Sequence, residues 1–158
     1  MTKLRFEPLD PFRSADVYTD CYAKSWLAAH GSLFGFSPTP YLEDVKCHFR
    51  RDENSLIAAY TGDTLAGILE LDTAKGRHTG YGWVSLVYLA PEYRGQGHGK
   101  ELLGKAAEVY AAMGRHSLRL HVSSMNKNAI GFYEHLGFKL LSESPGCGAP
   151  LYLMERKI

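Results

Sequence analysis

The chain has 158 residues, of which 45% are apolar and 22% charged, and a formal net charge of +1. This is the size and balance of one globular domain spanning residues 1–158, without the strong field that recruits nucleic acid or an anionic membrane. The opening MTKLRFEPLD holds no apolar core of signal-peptide type, and no apolar run is long enough to span a bilayer, so a cytoplasmic location is expected.

LRFEP opens the chain as a short strand. Asp10-Pro11 then reads as an N-cap followed by proline at the first helical position. The helix it starts runs to His30, with Ala15, Tyr18, Tyr22, Trp26 and Ala29 at three- and four-residue spacing and Gly31 as its stop. Thr39-Pro40 repeats the start signal for a second helix, with Leu42, Val45 and Phe49 on one face. Three strands follow: SLIAAY and LAGILEL around the hairpin signal TGDT, then GWVSLVYL after the glycine-rich KGRHTGYG. A helix is expected from Lys100 to Met113, stopped by Gly114. SLRLHV is a strand with Leu118, Leu120 and Val122 on one face and Arg119 and His121 on the other. Asn126 starts a last helix that Gly137 ends, and FKLLSES and LYLMERK close the chain as strands around PGCGAP. The order βααβββαβαββ defines a mixed α/β, α+β domain with helices covering a central sheet. Cys21, Cys47 and Cys147 are odd in number and widely spaced, a poor basis for a disulfide framework or a zinc knot.

One stretch stands out: YRGQGHGKELL, with glycines at 95, 97 and 99 directly before a helix. A glycine inside a regular element costs roughly 0.5–1 kcal/mol relative to alanine. Three together imply close approach to the backbone. A glycine-rich turn at a helix N-terminus offers unpaired N–H groups and the positive end of the helix dipole to an anion. Arg94 adds a charge-assisted donor. The nicotinamide fingerprint GxGxxG is not met, since the run is GxGxG. A Walker loop also fails, because Glu101 follows Gly99-Lys100 and Arg94 stands where its first glycine belongs. What remains is Arg-x-x-Gly-x-Gly, carried by Arg94, Gly97 and Gly99 after an apolar strand and a Pro-x-Tyr turn.

SLVYLAPEYRGQGHGKELL together with LHVSSMNKNAIGFYEHLGF resembles the two signatures of the GNAT superfamily of N-acetyltransferases, in that family's order and separation. The resemblance covers essentially the whole chain. It implies a central, mostly antiparallel twisted sheet flanked by helices, and acetyl-CoA as co-substrate with no metal. The pyrophosphate is expected on the backbone of Arg94, Gly95, Gln96, Gly97, His98 and Gly99. The pantetheine arm is expected along Val87, Tyr88 and Leu89, with the Leu89 N–H polarising the thioester carbonyl. Asn126 has two readings, a contact to the pantetheine or phosphate end and a helix N-cap.

Tyr133 matches the family's general acid, which protonates the departing thiolate. For the base, Glu70, Asp72 and His121 all stand open. Many family members carry glutamate where this chain has His121. The acceptor is expected to be a primary amine, on a small molecule, an amino acid or a peptide N-terminus, attacking directly in a ternary complex. Its pocket is expected among the first two helices, the loop HGSLFGFSPTP with Phe34 or Phe36, and the last hairpin. Nucleic acid and membrane are not expected partners, and a homodimer is compatible with so small a domain. The rival reading is a non-catalytic acyl-CoA-binding module of the same fold.

Overall fold

A computed structural model describes residues 3–158 of the chain, and its elements follow the predicted order. They are β1 (Arg5–Pro8), α1 (Ala15–His30), α2 (Thr39–Arg51), β2 (Leu56–Thr61), β3 (Thr64–Asp72), β4 (Tyr81–Leu89), α3 (His98–Ala112), β5 (Ser117–Ser123), α4 (Lys127–His135), β6 (Lys139–Ser144) and β7 (Leu151–Lys157). The strands form one seven-stranded sheet in the order β1-β2-β3-β4-β5-β7-β6. The pairs β1/β2, β2/β3, β5/β7 and β6/β7 are antiparallel, and β4/β5 is parallel. Contacts divide the chain into two compact units. One runs to Leu71 and adds Leu86–Leu102; the other comprises Asp72–Ser85 and Leu103–Ile158.

In the first unit, α1 begins at Ala15 and not at Pro11. Asp10 explains the correction. Its Oδ1 accepts the Phe12 N–H (2.8 Å), and its carbonyl accepts those of Arg13 and Ser14 (3.2 and 2.9 Å). That closes a separate turn, so helical bonding starts only at Ser14. The far end is as expected, with Gly31 at φ 77° and its N–H on the Leu27 carbonyl (2.8 Å). Tyr18, Cys21 and Tyr22 of α1 and Val45 of α2 pack against Leu56, Ile68 and Tyr88 of the sheet, with Leu42 and Phe49 at the margin. Each large apolar side chain buried there contributes about 1.5–3 kcal/mol. The β2/β3 register sets Glu70 opposite Leu56, on the face that α1 covers.

In the second unit, β5 alternates as predicted, with Leu118, Leu120 and Val122 buried and His121 exposed. Its register with β4 covers three pairs, Tyr81↔Ser117 to Trp83↔Arg119. β7 lies between β5 and β6, which leaves β6 as an exposed edge carrying Lys139 and Glu143. The helix expected from Lys100 starts at His98, so Gly99 is helical.

Arg115, just past α3, holds the β3–β4 connection. It is buried, and it donates through Nη1 to the carbonyls of Lys75 (3.1 Å) and Tyr81 (2.8 Å) and through Nη2 to that of Thr73 (2.6 Å). Arg115→Ala strands those carbonyls and will lower stability by about 2–4 kcal/mol in urea unfolding. Arg115→Lys will recover little, since an ammonium lacks the planar fork. An unchanged midpoint in the alanine variant would show that the three bonds contribute nothing.

Candidate active site

The chain leaves β4 at Leu89, turns through the short 3-10 segment Pro91–Tyr93, and enters α3 at His98. Gly95 and Gly97 have φ of 73° and 84°, the left-handed region that side chains with a Cβ avoid. A Cβ at Gly95 would meet nothing within 4 Å, so the backbone there faces open space. The exposed Arg94 donates through Nε to the Leu89 carbonyl (2.9 Å), which leaves the outer guanidinium nitrogens for an anion. Gln96 Nε2 donates to the Glu92 carbonyl (2.9 Å) and stiffens the loop. An exposed backbone cradle with an arginine beside it fits the pyrophosphate of a coenzyme A thioester.

His98 faces inward. Its side chain is buried, with Nδ1 2.6 Å from Glu101 Oε2, while Glu101 Oε1 accepts the Leu4 N–H (3.0 Å). Burial works to raise the Glu101 carboxyl, but the Leu4 and His98 hydrogen bonds outweigh it and hold the group below its ordinary range. His98 can therefore serve a ligand only through its backbone, and its imidazole anchors the loop. On β4, Val87 and Leu89 are half-buried, whereas Tyr88 turns into the core, where its hydroxyl has no hydrogen-bond partner among the described residues.

Glu70, one of the three base candidates, has the least expected surroundings. It is 4% exposed, beneath α1, and the Tyr22 hydroxyl donates to its Oε1 (2.7 Å). Oε2 is buried without a hydrogen-bond partner among the described residues. Burial pushes the carboxyl up to about 7, against the smaller opposing effect of the Tyr22 hydrogen bond. Tyr41, part exposed, lies against Tyr22 with ring centroids 5.5 Å apart. Trp26 stacks on His30 (4.0 Å) and meets Phe36 (5.9 Å), and Phe34 is 91% exposed. Asp72 shapes the turn after β3, where its Oδ1 accepts the N–H groups of Ala74 and Lys75 (both 3.2 Å).

In the second unit, Asn126 is the N-cap of α4, its Oδ1 accepting the Ala129 N–H (3.1 Å). Tyr133, on one face of that helix, is half-buried between Phe132 (5.4 Å) and Phe138 (5.6 Å, edge-on). Burial pushes its phenol up to about 12. Among the described residues nothing hydrogen-bonds its hydroxyl. His121 lies edge-on to Trp83 (4.8 Å), and Lys75 Nζ sits 3.4 Å from the centroid of the Trp83 ring. Burial, then the Lys75 charge, holds the imidazole below its ordinary value. Lys75 and Trp83 were missed in the sequence, where one reads as a loop charge and the other as a core residue. Among the described residues there is no cluster of three or more His, Cys, Asp or Glu placed to hold a metal. No helix among them is long and apolar enough to cross a membrane.

The fold and the glycine cradle define the acyl-CoA-dependent transferase class. Residues 16–138 match the acetyltransferase (GNAT) family, and the chain belongs to it. Among its relatives is thialysine N-epsilon-acetyltransferase of Bos taurus, 42% identical over 74 residues, covering 47% of this chain and 42% of that one. The chain thus spans less than half the length of that relative. Spermidine N(1)-acetyltransferase of Thermoplasma acidophilum is 26% identical over 143 residues, covering 90% of this chain and 81% of that protein. Among solved structures, PaiA N-acetyltransferase of Thermoplasma acidophilum, in complex with coenzyme A, has a TM-score of 0.71 at 22% identity, covering 99% of both chains.

Proposed function

We propose that the protein is an N-acetyltransferase, moving an acetyl group from acetyl-CoA to a primary amine by direct attack in a ternary complex. The observation that carries this reading is the cradle of Gly95 and Gly97 at the start of α3, in a chain of the GNAT family. The family match runs through both compact units, which supports residues 1–158 acting as a single catalytic domain.

The backbone from Arg94 to Gly99 binds the pyrophosphate, Val87 to Leu89 guide the pantetheine arm, and the Leu89 N–H polarises the thioester carbonyl. Asn126, already the α4 cap, keeps its amide nitrogen for the pantetheine. Glu70 takes the proton of the incoming ammonium. Its free, buried oxygen and a value near neutrality suit a base better than the depressed, exposed imidazole of His121. Tyr133 directs its O–H at the departing thiolate.

The test is release of free coenzyme A thiol against a panel of amines, amino acids and peptides, with the wild type compared to Gly97→Val. The wild type should turn over at least one class of amine. The variant, forced into a left-handed conformation costing about 1–2 kcal/mol, should bind acetyl-CoA roughly tenfold more weakly. Unaltered affinity would refute the cradle. Acetyl-CoA binding without transfer to any amine would favour the non-catalytic module.

A further inference from the structure

The helix start that forms the cradle carries a charge of the wrong sign. Glu101 lies in the first turn of α3, with its N–H on the Gly97 carbonyl (3.4 Å). Its carboxylate thus springs from the same turn that offers N–H groups to the pyrophosphate. A carboxylate placed there is drawn to those unpaired N–H groups and to the positive end of the helix dipole. Left free, it would compete for the cradle and repel a phosphate anion beside it.

Two hydrogen bonds turn it elsewhere. Oε1 accepts the Leu4 N–H (3.0 Å), at the entry to β1, and Oε2 lies 2.6 Å from His98 Nδ1. Burial favours the neutral carboxyl, but the Leu4 and His98 bonds and the Lys3 charge keep it ionised. An ionised carboxylate only accepts, so Nδ1 carries the proton of this bond. The His98 side chain is 3% exposed, and the Tyr93 ring meets it edge-on (6.3 Å). The donor is held in place, and both carboxylate oxygens are committed to groups other than the cradle's N–H donors. Leu4, Tyr93, His98 and Glu101 all belong to the first compact unit, as does the cradle.

We propose that His98 is a positioning residue for the cofactor: with the Leu4 N–H it parks the Glu101 carboxylate and so keeps the start of α3 open to the coenzyme A pyrophosphate. The imidazole faces inward and does not meet the ligand, yet binding depends on it through Glu101. The inference rests on the cradle reading of Gly95 and Gly97, which the test separates from it.

The test is calorimetric titration of acetyl-CoA into the wild type and variants at positions 98 and 101, each checked for folding by circular dichroism. His98→Phe keeps a buried ring but removes the donor, and should weaken binding roughly fivefold. His98→Asn places an amide N–H near the Nδ1 position and should keep most of the affinity. Glu101→Gln, with no charge to park, should bind at least as tightly as the wild type. In the double variant His98→Phe/Glu101→Gln, affinity should return to within about twofold of the wild type. Glu101→Asp, charged but one methylene short of both donors, should weaken binding where glutamine does not. That contrast leaves His98 untouched, so it decides the matter even if His98→Phe does not fold. A double variant as weak as His98→Phe would assign the loss to packing and overturn the proposal. Wild-type affinity in His98→Phe, or equal weakening in Glu101→Asp and Glu101→Gln, would overturn it as well. Inorganic pyrophosphate is titrated alongside. Binding of pyrophosphate but not of acetyl-CoA, with the same pattern across the variants, would keep the parked carboxylate and discard the cofactor reading; binding of neither would discard both.

Discussion

Glu70→Gln will cut turnover by roughly 10²–10⁴-fold and at the same time make the protein harder to unfold at pH 8. The two effects share one cause. A carboxyl beneath α1, with one oxygen on Tyr22 and the other unpartnered, is costly to ionise, and burial raises it from 4.5 to about 7. The folded state therefore binds its proton more tightly than the unfolded chain. Below pH 4.5 both states are protonated and the group is neutral in its effect. From there stability falls as pH rises, and above about pH 7 the whole penalty is present. That penalty is on the order of 3 kcal/mol. Glutamine keeps an oxygen for the Tyr22 hydroxyl and never ionises, so the variant should lose this slope and gain stability on the alkaline side. Activity runs the other way. A base works when ionised, so wild-type kcat/KM should climb through an apparent value of about 7, and that limb should be missing from the residual activity of the variant. Urea unfolding at pH 5 and pH 8 beside a pH–rate profile checks both halves. Wild-type rates in Glu70→Gln would remove Glu70 from the chemistry, and lost stability at pH 8 would mean that the carboxylate has a partner at that pH.

Such a burial could not be read from the sequence, and the reason is physical. LAGILEL shows a charged residue in an apolar run, but which face of the strand lies under α1 depends on packing between segments 48 residues apart. The glycine loop was legible because its signal is local: Gly95 and Gly97 have positive φ, a conformation that glycine reaches at no steric cost. The same locality gave Gly31 as a helix stop and Asn126 as a cap, both present in the structure. It misled at Pro11, where the Asp10 side chain serves a tight turn ahead of the helix it was expected to cap. Lys75 was invisible for the opposite reason. Its position over Trp83 follows from Arg115, 40 residues on, reaching back to the carbonyls of the turn. Short-range chemistry wrote the glycine turn into the sequence, while the burial of Glu70 and the placement of Lys75 depend on contacts that only folding creates.

Tyr133→Phe should lower kcat by about 10²-fold and leave acetyl-CoA affinity nearly unchanged. Phenylalanine keeps the ring between Phe132 and Phe138, so the variant loses one hydroxyl and little packing. The expected factor lies at the lower end of the range for general acids, because burial that pushes the phenol up to about 12 has two consequences. It keeps the proton on Tyr133 across the working pH range, so every molecule carries a competent donor and no alkaline limb should come from this residue. It also makes the phenol a weaker acid than a free thiol of value near 8.5, so full transfer to the thiolate is uphill by several units. In the proposed transfer, Tyr133 would therefore act mainly as a strong hydrogen bond to sulfur as negative charge develops there, with solvent delivering the proton afterwards. A bond of that kind, to a charged acceptor in a half-buried site, is worth about 1.5–3 kcal/mol, or roughly 10–10²-fold in rate. Thioesters of less basic thiols, whose sulfur needs less help to leave, should narrow the gap between wild type and variant. If Tyr133→Phe matches the wild type with acetyl-CoA, the hydroxyl takes no part in the transfer and the departing sulfur draws its proton from water alone.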